Sequence, residues 1–274
     1  MRAVSRGMSN PQPIGVFDSG IGGLTVVKAL RDRLPNESIL YLGDTARVPY
    51  GPKSPDTVRR YALELAHMLM RKNTKALVVA CNTVSSVALP LLTRKFSVPV
   101  IGVIDPGAQA ALQATRNRHV GVIGTRATIR SGAYEKALRA TDSGVHVSSH
   151  ACPLLVPLIE EGLLDDDVTD RIIARYLEPL LAGGIDTLVL GCTHYPLLSP
   201  AIARVLGREI TLVDSAQNCA IAVQEILDRQ SLRAPTTDGG ELHVALTDAA
   251  DNFLNVARDA LQLSFGEIEL RPLP

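Results

Sequence analysis

Short runs of Val, Ile and Leu recur along the chain, and most stop at Gly, Asp, Cys or Thr before a stretch with helical spacing begins. The runs cover residues 14–17, 39–42, 76–80, 98–104, 120–123, 145–148, 187–190 and 210–213. Near-continuous apolar runs of this length suit parallel strands covered on both faces. Between them, Leu65, Met68 and Leu69 share one helical face, and Val168, Ile172 and Tyr176 share another. Alternating strands and helices predict an α/β fold with right-handed crossovers, whose ligands bind beyond the carboxyl ends of the strands. A strand over 242–246 and a helix over 249–261 carry the pattern into the tail.

The pattern repeats. Residues 76–83 (ALVVACNT) resemble residues 187–194 (TLVLGCTH), 111 positions later, and 14–20 (IGVFDSG) resemble 120–125 (VGVIGT), 106 positions later. Two offsets so close predict two related α/β lobes. Cys81 and Cys192 would then occupy equivalent strand ends, one on each wall of a cleft between the lobes.

Composition narrows the function classes. The 274 residues are 46% hydrophobic, enough to bury a sizeable core. At ~150 residues per domain the length allows about two domains. The 28 basic and 28 acidic residues cancel, which argues against broad electrostatic binding to nucleic acid or to a membrane surface. No run reaches the ~18–20 apolar residues of a membrane-spanning helix. The opening MRAVSRGM lacks the apolar run of a signal peptide, so residues 1–13 read as a loose extension and a cytoplasmic location is expected. Cys81, Cys152, Cys192 and Cys219 contain no C-x-x-C pair and read as free thiols in a reducing compartment.

A thiol at a strand end, opening the next helix, is expected to favour its thiolate, because the helix start is positive. Two such thiols facing one small molecule could remove a proton from one face of a carbon and deliver a proton to the other. The alternative is two small buried hydrophobes, against which stand the polar neighbours Asn82, Thr83, Thr193 and His194. His194 could orient or protonate Cys192. A zinc site on Cys192 and His194 lacks a second ligand pair, so no metal is expected. The turn Asp18-Ser19-Gly20-Ile21-Gly22-Gly23 could cradle an anion with its N–H groups, and Asp18 could cap a helix or bind an ammonium group. As a dinucleotide fingerprint it lacks its third Gly, replaced by Thr25, although Asp44 lies at a suitable distance for a ribose. The proline-stiffened loop 43–52 (GDTARVPYGP) is a candidate cleft wall. Thr125 and Thr128 sit at a helix start, and Glu160 and Glu161 follow an apolar run with nothing to choose between them.

Taken together, Asp18-Ser19-Gly20, Pro49-Tyr50-Gly51, Cys81-Asn82-Thr83 and Gly191-Cys192-Thr193-His194-Tyr195-Pro196 closely resemble the glutamate racemase family of the aspartate/glutamate racemase superfamily. The resemblance implies two pseudo-symmetric lobes, each a mostly parallel sheet flanked by helices, with the active site in the cleft between them. It places the first lobe at 1–104 plus 215–274 and the second at 105–214. It implies interconversion of L- and D-glutamate without a cofactor, to supply D-glutamate for peptidoglycan. By the same resemblance Cys81 acts on the D enantiomer and Cys192 on the L enantiomer. Asp18 and His194 assist them, and Glu160 supplies a further carboxylate. Substrate contacts fall to Asp18, Ser19, Pro49, Tyr50, Gly51, Asn82, Thr83, Thr125, Thr128, Thr193 and His194. Cys152 and Cys219 match no motif and read as structural. Val84 departs from the smaller residue common at its position. Family members commonly dimerise, so a homodimer is compatible with the resemblance.

Overall fold

The computed structural model describes residues 10–235, 239–249, 258, 261–263, 266 and 268–273. The first strands are β1 (Ile14–Asp18), β2 (Ile39–Gly43), β3 (Ala76–Val79) and β4 (Val100–Gly102). Next come β5 (His119–Gly124), β6 (His146–Ala151), β7 (Thr187–Gly191) and β8 (Thr211–Asp214), and the tail adds β9 (Leu242–Leu246) and β10 (Glu269–Leu270). They form two sheets, ordered β10-β9-β2-β1-β3-β4 and β6-β5-β7-β8. Every pairing among the described residues is parallel. The order β2-β1-β3-β4 therefore recurs as β6-β5-β7-β8, which is the repeat seen in the sequence.

Burial explains which strands were easy to read. All residues of β1, β3 and β7 are buried, as continuous apolar runs require. β6 is an edge strand of polar composition (HVSSHA) with no buried residue. Its apolar signal is Val145 and Val147 alone, so the expected strand at 145–148 lies too early. The expected strand at 98–104 is also shortened: β4 ends at Gly102, and Ile104 already opens the helix Ile104–Ala114. β10, two exposed residues long, had no apolar pattern to reveal it. The helix expected over 249–261 lies mostly outside the described residues, as do residues 1–9 of the expected extension.

The lobes share a seam. Helices Ile104–Ala114 and Ser215–Arg229 pack on each other, and the second also packs on helix Leu24–Arg33 of the first lobe. One apolar cluster consequently runs from Val16 and Val78 in the first sheet to Val122 and Val189 in the second. A second cluster, around Phe17, Leu65 and Val79, fills the opposite face of the first sheet. At the amino end of that sheet Lys75 and Glu37 form a buried ion pair at 2.5 Å, and Lys75 Nζ also donates to Asn10 O at 2.7 Å. Burial pushes the Lys75 ammonium below its usual range, with the bond to Glu37 opposing. Its place is at the far end of β3 from Cys81.

Candidate active site

In a 2-1-3-4 sheet the chain leaves the first and third strands in opposite directions, so a crevice opens beyond their carboxyl ends. In the first sheet that crevice lies between Ser19, after β1, and Cys81, after β3. In the second it lies between Thr125, after β5, and Cys192, after β7. The two crevices face each other, and all four residues line one cavity of about 330 Å³.

On the first wall, Cys81 is the N-cap residue of helix Asn82–Lys95. Its Sγ–H donates to Ser19 Oγ at 3.3 Å. Burial pushes the Cys81 thiol up to about 12 and the nearby Asp18 charge adds to the rise, while its hydrogen bonding with Ser19 and the Val84 N–H opposes it. The expectation that the helix start would leave a thiolate at Cys81 is thus corrected: loss of solvent outweighs the helix start. Val84, the departure noted in the sequence, is fully buried in the cluster behind this thiol.

Asp18 does not line the cavity; it is fully buried in the layer behind Ser19. Its Oδ2 accepts from Gly20 N at 3.1 Å, and its Oδ1 has no partner. Burial raises its carboxyl from the usual range, against the charge of His194 and the N–H groups of Gly23, Gly20 and Ser19. Asn82 and Thr83 do reach the cavity. Asn82 Oδ1 accepts from Tyr134 Oη at 2.7 Å, leaving its Nδ2 without a partner. The Thr83 hydroxyl meets those of Thr125 at 2.9 Å and Thr128 at 3.4 Å, joining the lobes. Thr128, like Asp18, lies behind the wall, buried beneath Thr125.

The second wall is built differently. Cys192 follows Gly191, where an added Cβ would fall 2.6 Å from Ile123 O, so only glycine lets β7 approach β5 there. Past Cys192 the chain enters the 3-10 turn Tyr195–Leu198, not an α-helix start. His194 Nδ1 lies 3.8 Å from Cys192 Sγ, and its Nε2 lies 3.2 Å from Glu160 Oε1. Burial alone would lower the imidazole, but its bonds to Cys192 and Glu160 prevail and push it up to about 10. At neutral pH the ring is then an imidazolium, which supplies the positive charge a neighbouring thiolate needs. Glu160 ends helix Leu155–Glu160, whereas Glu161 is exposed just beyond it.

The second wall also closes the glycine-rich turn. A Cβ on Gly22 would stand 2.3 Å from His194 Nδ1, and Thr25 Oγ1 donates to Thr193 O at 2.9 Å. The space a pyrophosphate would need against this turn is filled by the other lobe, which removes the dinucleotide alternative. Thr25, the residue that broke the fingerprint, is part of that closure. Among the described residues no three His, Cys, Asp or Glu side chains converge as metal ligands.

The roof is the loop after β2. Pro49, Tyr50 and Gly51 line the cavity, and Tyr50 Oη donates to the fully buried Asp44. Asp44 is also held by Arg47 Nε at 2.7 Å and by Thr247 Oγ1 at 3.0 Å. The tail grips the same loop further: Ala46 N donates to Thr247 Oγ1 at 2.9 Å, Thr45 Oγ1 donates to Asp248 O at 2.5 Å, and Asp248 N donates back to Thr45 Oγ1 at 2.8 Å.

Sequence reasoning missed several lining residues, among them Arg126, Cys152, Val156 and Pro157. Cys152, expected to be structural, directly follows β6 and lines the cavity. Burial, then the neighbouring Cys192, pushes its thiol up to about 12. The same strand-end rule that found Cys81 would have found it, had the edge strand been placed correctly. Arg126, one residue past Thr125, was open to the same rule. Cys219 stays fully buried outside the cavity.

The Asp/Glu/Hydantoin racemase family matches residues 24–225 of this chain. A glutamate racemase from Geobacter metallireducens is 50% identical over 255 residues, covering 93% of this chain and 94% of the relative. A glutamate racemase isoform from Bacillus anthracis superposes with a TM-score of 0.92 at 41% identity, over 96% of this chain and 98% of that one. The glutamate racemase of Francisella tularensis, solved in complex with D-glutamate, gives a TM-score of 0.89 at 38% identity over 96% and 98% of the two chains.

Proposed function

The chain belongs to the Asp/Glu/Hydantoin racemase family, and from that premise we propose that it interconverts L- and D-glutamate with Cys81 and Cys192 as opposed acid and base. It is a racemase, and so an isomerase. One observation carries the reading of its mechanism: Cys81 and Cys192, at the ends of the equivalent strands β3 and β7, line a single cavity, one from each lobe.

The steps follow from that arrangement. A thiolate on one wall takes the Cα proton and becomes a thiol. The thiol on the other wall gives its proton to the opposite face of the carbanion and becomes a thiolate, so the stereocentre inverts and no group is left over. L-glutamate meets Cys192 as base and D-glutamate meets Cys81. Burial makes Cys81 hold its proton up to about 12, and an imidazolium stands beside Cys192. Carbanion charge drawn into the α-carboxylate is met by donors on the cavity walls such as Ser19, Asn82 and Thr193. Asp18 acts on Cys81 through Ser19 and through its charge, and Glu160 acts on Cys192 through His194. The enzyme works in the cytoplasm without a cofactor, and its D-glutamate goes to peptidoglycan.

The test is incubation of metal-free, pyridoxal-free protein with pure D-glutamate in deuterated water. Loss of optical rotation with one deuterium taken up at Cα is expected. An unchanged sample would overturn the proposal, and racemisation of aspartate in place of glutamate would move the chain to a sister activity.

A further inference from the structure

A second cavity, of about 180 Å³, shares Thr83 with the catalytic cleft but none of its other lining residues. It lies across the seam. Pro55, Val58 and Val87 wall it from the first lobe, and Ala127 walls it from the second. Each lobe also contributes one cation, Lys53 and Arg130. Among the described residues neither makes an ion pair; Lys53 stands 5.9 Å over the Tyr61 ring, and no acid lines the cavity. The acids of the lining helices, Asp56 and Glu64, are bound to Arg59 and Arg47. Two like charges at one small cavity repel each other, and a shared anion would turn that repulsion into attraction.

We propose that this cavity is a second anion site, in which a small phosphate-type oxyanion bridges Lys53 of the first lobe and Arg130 of the second. Its apolar walls leave room for a short organic stem, so inorganic phosphate and small phosphomonoesters share the required chemistry. A bound phosphate braces the seam beside the Thr83–Thr125 contact. The site does not depend on the racemase reading, since its occupancy can be followed by binding alone.

The experiment titrates the full-length protein with inorganic phosphate, and in a second arm with glycerol phosphate, at ionic strength held constant with chloride. Melting temperature is the readout. Saturable stabilisation by several degrees is expected at large excess over Kd, because a ligand that binds only the folded chain raises its Tm. Lys53→Ala with Arg130→Ala should abolish the shift, and Lys53→Arg with Arg130→Lys should keep it. A tighter fit for the ester identifies a phosphomonoester as the resident ligand, and a tighter fit for phosphate identifies the free ion. A response that is absent, that never saturates, or that survives in the double alanine variant overturns the site. Should the double variant melt early without phosphate, Val87→Glu, which supplies a carboxylate from within, must also abolish the shift.

Discussion

The Cys81 wall and the Cys192 wall carry the same residue at the same strand end of the same topology, yet they hold their sulfurs in opposite electrostatic settings. Cys81 caps a long helix but is bonded to a neutral Ser19 hydroxyl, with the Asp18 carboxylate behind it. Cys192 lacks the helix and has His194, backed by Glu160. The strand order is shared; the difference lies in the backbone just after each thiol and in the side chains around it. Enantiomers have equal free energies, so kcat/KM must be equal in both directions whatever the walls look like. The asymmetry can therefore surface only in kcat and KM taken separately.

The largest effect should come from deleting either sulfur. Cys81→Ala and Cys192→Ala are each expected to slow racemisation by about 100-fold to 10,000-fold. Each variant should still exchange Cα hydrogen slowly with deuterated water, from D-glutamate alone when Cys192 is lost and from L-glutamate alone when Cys81 is lost. Exchange with both enantiomers would break the assignment of one wall to each.

Next in size is the charge behind His194. A folded pKa of about 10 against an ordinary 6.5 means that its contribution to stability is complete below about 6.5 and is lost as pH rises through about 10. Glu160→Gln removes one of the raising interactions, so thermal melts against pH should show that loss finishing at lower pH. Each unit by which the imidazolium is weakened is worth about tenfold. L-glutamate kcat should fall accordingly, with KM changing in step so that kcat/KM stays equal in both directions. A variant whose melting profile is superimposable on the parent's above neutral pH would remove the charged relay from the second wall.

The smallest effect tests the first lobe's roof. Thr247→Val breaks two hydrogen bonds to the loop that carries Tyr50, at a cost of about 1–2 kcal/mol. Severalfold higher KM with kcat nearly unchanged is expected in steady-state assays with either enantiomer. A fall in kcat instead would mean that the roof takes part in the proton transfers.

Much of this was legible because parallel strands buried on both faces leave continuous apolar runs, and chemistry collects at their ends. That logic located Ser19, Cys81, Thr125 and Cys192 from sequence. It failed where a strand is exposed: polar β6 hid its own boundary, and Cys152 with it. It also failed where burial depth matters. No local pattern separates Ser19, in the wall, from Asp18, behind it, or distinguishes Glu160 from Glu161. The acidity of Cys81 was misjudged because a helix start is visible in sequence, whereas the loss of water around a side chain is a property of the packed interior.

The order of the first sheet has a consequence for how the molecule is made. β5 to β8 emerge from the ribosome as a complete set, so the second lobe can close while synthesis continues. The first sheet must wait for β9, and until then β2 presents an unpaired edge of the kind that recruits other chains. Only when Thr247 arrives is the roof over the cleft fastened, so a nascent chain carries both thiols long before it has a finished site to hold them.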